Sequence, residues 1–168
     1  MKYLKLLFIS ILIVSCTNVQ FVDSQPEFLE RLSEIPEKFQ GTFIEVSVDT
    51  TTYVVTATSI LEDGKVQFKM DSTMEVKGHG NTLYLNTNGS HGFECHRVTL
   101  VRSFNYEKIN LSSINIVNAQ MELKNIKYES IEKSDESNQH IFIIKDINYN
   151  QLQKLFEGSS KQELIRIK

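Results

Sequence analysis

Apolar residues at every second position are the feature that most constrains this chain. From Gly41 onward, Ile44, Val46 and Val48 alternate with polar neighbours, and Tyr53, Val55 and Ala57 repeat the pattern. Lys65-Val66-Gln67-Phe68-Lys69-Met70 alternates cleanly, and Met74/Val76 and Leu83/Leu85 follow. Successive side chains of a strand point to opposite faces, so a period of two marks a ribbon with one face buried and one wet. Glu62-Asp63-Gly64, Gly78-His79-Gly80-Asn81 and Asn86-Thr87-Asn88-Gly89 separate these runs with turn-forming residues. Short strands with turns at that spacing predict a mainly β fold: an antiparallel meander, forming a barrel or a sandwich.

Phe93 and Cys95 share one phase while Val98 and Leu100 share the other, which predicts a bulge near His96-Arg97. Ile109/Leu111, Ile114/Ile116, Met121/Leu123, Ile126/Tyr128 and Ile141/Ile143 are further strand candidates, and residues 130–139 read as a polar loop. Two short helices are expected. One covers residues 27–35, where Phe28, Leu29, Leu32 and Ile35 recur near helical spacing between Pro26 and Pro36. The other covers residues 149–157, capped by Asn148 or Asn150 and stopped by Gly158. Leu164 to Ile167 then adds a last strand.

The first residues set a different problem. Lys2 and Lys5 precede an apolar block from Leu6 to Val14, broken only by Ser10. That block is about half the ~20 residues a spanning helix needs, and its length after a basic head reads as a secretory signal. Its end, Ile13-Val14-Ser15-Cys16, resembles the lipobox of bacterial lipoproteins. The resemblance implies cleavage before Cys16, a lipid on the Cys16 thiol and an acyl chain on the new amine. Residues 1–15 are then a signal peptide, 16–25 a lipidated tether and 26–168 a single β-rich domain. Loss of Lys2 and Lys5 moves the formal charge of −3 further negative. An acidic chain without a basic, aromatic-interleaved stripe or a polybasic patch has no footprint for nucleic acid or anionic lipid heads. Only Cys95 remains beside the lipidated cysteine, so the fold must hold without an intrachain disulfide.

Few residues suggest chemistry. His79, His91, Cys95 and His96 are the candidates for a metal site. The predicted strand Thr82–Asn86 would hold His79 and His91 about 17 Å apart at its two ends. Cys95 and His96, as neighbours on a strand, would point to opposite faces, so no metal or other cofactor is expected. Gly89-Ser90-His91-Gly92 is one residue short of a nucleophile elbow and lies between strands, where a hairpin loop fits better. Asp49-Thr50-Thr51 and Asp71-Ser72-Thr73 resemble the acceptor of envelope O-glycosylation in Bacteroidota, which makes Thr50 and Ser72 candidates, although both triplets also read as turns.

Two resemblances bear on function. Gln25-Pro26 followed by Ile35-Pro36-Glu37-Lys38-Phe39-Gln40-Gly41-Thr42-Phe43 is similar to the start of small Bacteroidota envelope lipoproteins. Gly41-Thr42-Phe43 at the first strand, then a β meander, a short helix and a last strand, looks like a lipocalin, a family that usually carries Gly-x-Trp there. This chain has no tryptophan. The expectation is a lipid-anchored cell-envelope protein in the outer membrane, facing the periplasm, with a non-enzymatic binding or structural role. Its partners would be the membrane and an envelope protein or a small apolar ligand. The alternatives are a lipocalin-like carrier of such a ligand, and an enzyme using the His/Cys-containing loops.

Overall fold

The computed structural model describes residues 18–45, 51–89, 95–114, 123–132, 140–157 and 159–168. Among them twelve strands form one sheet. In chain order they are β1 (Asn18–Phe21), β2 (Gly41–Glu45), β3 (Thr52–Val55), β4 (Ser59–Glu62), β5 (Lys65–Lys69), β6 (Met74–His79), β7 (Thr82–Asn88), β8 (His96–Asn105), β9 (Lys108–Ser113), β10 (Tyr128–Glu132), β11 (His140–Ile144) and β12 (Ser160–Arg166). One helix, α1 (Tyr149–Glu157), precedes the last strand. The mainly β expectation holds. The sheet is mixed rather than purely antiparallel, because β1 runs parallel to β11. It is also not closed: β5 and β6 meet at a single bridge, Met70 to Met74.

The turns follow from local chemistry. Asp63 and Gly64 both have positive φ (47° and 79°), the combination a two-residue hairpin loop demands and Asp-Gly supplies. Between β6 and β7 the same role falls to Gly80. At Gly41 φ is 139°, and a Cβ there would collide with the Arg166 guanidinium and the Lys168 carbonyl, so only glycine admits the chain into β2.

β8 is the branch point. One edge pairs with β7 in unbroken register from Thr82↔Arg102 to Asn88↔His96. The other is shared by β1, through Phe21↔His96, and β9. The bulge expected near His96-Arg97 is therefore absent. Both faces of this strand are buried, so apolar residues in either phase are satisfied. Leu83, Leu85 and Val101 face inward with Phe43, Met74, Val76, Ile109 and Leu164. Tyr84, Val98 and Leu100 face outward against Val19, Phe21 and the apolar side of α1, Leu152, Leu155 and Phe156. Each such side chain contributes about 1.5–3 kcal/mol on burial. A bulge does occur further along, at Phe104.

The helix at 149–157 forms as expected. Asn148 Oδ1 accepts from Gln151 N–H, and Gln151 Oε1 accepts from Asn148 N–H, both at 3.0 Å: a reciprocal cap. Gly158 lies outside the described residues. The helix expected at 27–35 does not form. Leu32 N–H donates to Val76 O and Ile35 N–H to Ala57 O, so this segment crosses from β6 to the β3–β4 turn as irregular chain with a turn at Glu27-Phe28. The helical turn lies later, a 3-10 turn at Glu37–Phe39 that Pro36 introduces rather than ends. Within the stretch 16–25, Asn18–Phe21 forms an interior strand of the sheet.

Candidate functional site

The inward face of the curled sheet encloses an apolar cavity of about 230 Å³. Val55 of β3, Ile60 of β4, Leu83 and Leu85 of β7, Val101 of β8, Ile109 and Leu111 of β9 and Leu164 of β12 form its walls. Alternation built it: each residue lies two positions from the next inward one on its strand. Ile35 and Phe39 cover one end, carried there by the crossing segment. Phe68, on the outermost strand β5, lines the cavity while remaining 37% exposed, and so stands at its rim.

The cavity has a polar side. Thr87, Thr99, Ser113, Gln162 and Tyr53 also line it, with Thr87 four residues along β7 from Leu83 and thus toward the other end. Burial pushes the Tyr53 hydroxyl above its ordinary range, nearby Glu62, Glu45 and Asp63 add to this, and a hydrogen bond with Gln162 opposes it. Among the described residues the lining contains no charged side chain. An ion entering would therefore lose its hydration unpaired, at several kcal/mol, whereas a hydroxyl or carbonyl would find hydrogen-bond partners.

The residues singled out for metal binding are not brought together. His79 ends β6 and pairs with Thr82, which pairs with Arg102. His96 lies six residues along β8 from Arg102, roughly 20 Å away. Cys95 packs with Ile141 and Ile143 instead, and His91 lies outside the described residues. No group of three or more metal-ligating side chains occurs among the described residues. His96 lines a separate small polar pocket with Arg31, Asp71, Ser72 and Asn88. Ser72 lies in the exposed turn between β5 and β6, where its hydroxyl donates to Lys69 O. Thr50 and Cys16 lie outside the described residues.

Burial raises the Cys95 thiol above its usual range. Thiolate is the reactive form, so native protein at pH 8 is expected to react with a thiol reagent far more slowly than unfolded protein. Stopped-flow labelling with and without denaturant checks this; equal rates would place Cys95 in solvent.

One polar cluster was not foreseen. Asn86 of β7, 1% exposed, accepts from Gln25 N–H (2.6 Å) and donates to Gln25 O (2.8 Å). Beside it Lys77 donates to Ser24 O (2.9 Å) and Pro26 O (3.1 Å). The Gln25-Pro26 pair is thus held by side chains 50 to 60 residues away. Asn86 read as a turn residue, and its inclusion in a longer strand buries it on the same outward face as Tyr84. Among the described residues no helix is long and apolar enough to cross a membrane. No family model, curated protein or solved structure matches this chain.

Proposed function

We propose that this chain is a lipid-anchored cell-envelope protein whose domain binds a small, uncharged, mostly apolar ligand inside the curled sheet. The observation that carries the reading is the cavity: apolar walls, a polar side built from Tyr53, Gln162 and hydroxyls, and no charged lining residue among those described. At about 230 Å³ it lies below the usual 300–1,000 Å³ of drug-sized sites, so the ligand is small. The order of elements supports a lipocalin-like carrier. A Gly-x-aromatic strand opens the meander, a helix follows it, and β12 pairs with both β9 and β2. The lipobox Ile13-Val14-Ser15-Cys16 supports attachment to the envelope, and a periplasm-facing position in the outer membrane is part of this reading.

Leu85→Phe tests the cavity. If the space receives a ligand, the larger ring occupies it, stability changes by less than about 1 kcal/mol, and affinity for an uncharged naphthylamine dye falls about tenfold or more. If side chains already fill the space, the same change costs about 1–3 kcal/mol and dye binding is absent from the parent. A fatty acid of matching length should bind at least tenfold more weakly than its alcohol, because its carboxylate would be buried unpaired. Equal binding of acid and alcohol would sink the uncharged-ligand assignment.

A further inference from the structure

We infer that one end of the sheet is a membrane-seating surface, formed by the exposed aromatics Phe104, Tyr106, Phe28 and Tyr149, and that its occupant is the headgroup layer of the bilayer holding the lipid anchor. The inference rests on the lipid-anchored reading above and adds how the domain lies on the membrane.

Phe104 and Tyr106 are 68% and 73% exposed at the tip of the β8–β9 hairpin. Phe104 is the bulged residue, two positions beyond Arg102. Arg102 bonds to Gln153 on α1, so this stretch of β8 borders the helix-covered face. The other two aromatics lie toward the same end. Phe28 and Tyr149 meet edge to face, with ring centroids 5.3 Å apart, over a recess lined by His79 and Thr82. Thr82 pairs with Arg102. Ile167, also exposed, lies beside the hairpin, because Arg166 N–H donates to Glu107 O. Phenylalanine and tyrosine at one end of a soluble domain match what interfacial anchors use, an apolar ring at the depth of the headgroups.

The path of the chain selects the membrane as the occupant. β1 is antiparallel to β8, so the polypeptide enters β1 from the end toward which β8 runs, which is the end carrying the hairpin tip. Phe21 pairs with His96, and Phe104 lies eight residues further along β8, about 26 Å away. Phe21 lies five positions after Cys16, so the chain reaches at most ~17 Å in that direction. An anchor at Cys16 therefore cannot extend past the tip. With that end turned to the bilayer, the tip lies at least roughly 9 Å beyond the farthest level that an anchor at residue 16 can reach, comparable to the 5–10 Å depth of interfacial segments. Lys38 and Lys168 flank this end. Lys38 Nζ donates to Asn81 in the β6–β7 turn, and Lys168 O accepts from Thr42.

The chain has no tryptophan, so single substitutions give a site-specific reading. Full-length protein carrying Phe104→Trp, Tyr106→Trp or, at the opposite end, Lys65→Trp would be produced in an envelope-containing bacterial host. It would then be reconstituted in phosphatidylethanolamine–phosphatidylglycerol vesicles with brominated acyl chains. The expected result is a blue shift and loss of emission for the Phe104 and Tyr106 variants, with Lys65→Trp unchanged. Intact mass of the same preparations reports the lipid. A protein without lipid on Cys16 would overturn the anchored reading and the seating with it. A lipidated protein whose Phe104 and Tyr106 variants emit as in water would overturn the seating alone and leave the anchor standing.

Discussion

Asn86→Leu is expected to lower the stability of the domain by about 2–5 kcal/mol, the sum of two buried backbone groups left without partners. Leucine keeps the branching of asparagine at Cγ but is larger, so the space stays filled and the loss combines the missing polar partners with some overpacking. Gln25 N–H and C=O would both face an apolar side chain, in a buried part of the fold. For a domain of this size that corresponds to a fall of about 5–15 °C in Tm. Gln25→Ala is the contrast. Its side chain bonds at 3.2 Å to Asp23 O and at 3.4 Å to Glu27, while the backbone bonds to Asn86 survive the change. It should cost about 1 kcal/mol, by thermal or urea denaturation. Equal losses from both variants would mean that Gln25 acts through its side chain and that the Asn86 clamp is incidental.

That clamp shows what was legible in the chain and what was not. The strands from Gly41 to Leu85 were readable because most of them alternate apolar and polar residues, although in β2 the fully buried side chain is Phe43, out of phase with Ile44, and Val46 and Val48 lie outside the described residues. α1 was readable because Asn148 and Gln151 cap it locally and Leu152, Leu155 and Phe156 share one side. The segment before β2 misled because Phe28, Leu29, Leu32 and Ile35 have helical spacing for a different reason. Leu29 packs on the outer cluster, Leu32 and Ile35 on the inner one, and Phe28 is exposed. An irregular chain crossing several surfaces happened to match one helical face. β1 was passed over although Asn18-Val19-Gln20-Phe21 alternates, since four residues are a short signal and its parallel partner β11 begins more than 120 residues later.

The cavity was legible as a question rather than an answer. Phe68 and Leu85 could be placed on a buried strand face from alternation alone, and both line the cavity. Whether facing strands leave room between them depends on curvature, which arises from pairings such as β12 with β2 that are distant in sequence. The absence of charge from the described lining follows in part from the same alternation, because Lys69 and Glu163 fall in the opposite phase to the lining residues of their strands, while Glu62, in phase with Ile60, stands at the end of β4 outside the lining. Tyr53 and Gln162 were not singled out, and no local signal marks them: their meeting needs β3 and β12 to flank β2.

Phe43→Ala is expected to destabilise by about 3–5 kcal/mol, as for other fully buried phenylalanines, because the ring sits where β2, β12 and the 3-10 turn converge. Arg166, directly opposite Phe43 on β12, lays its guanidinium 4.8 Å from the ring centroid. The same guanidinium donates to Lys38 O at 2.8 Å and to the carbonyls of Gln40 and Tyr106. One planar group thus joins the crossing segment, the β8–β9 hairpin and the end of the cavity where Ile35 and Phe39 lie. Arg166→Lys should recover little of the loss caused by Arg166→Ala, since an ammonium cannot stack on the ring and reach three diverging carbonyls together. A double-mutant cycle between Phe43→Leu and Arg166→Met should return a coupling of about 0.5–2 kcal/mol. Arg166→Ala should also speed release of a bound uncharged dye, because it loosens the segment that carries Ile35 and Phe39 over the cavity. Zero coupling in the cycle, with dye release unchanged, would mean that the ring and the guanidinium stabilise β2 independently and that this end of the cavity is closed by Ile35 and Phe39 without help from Arg166.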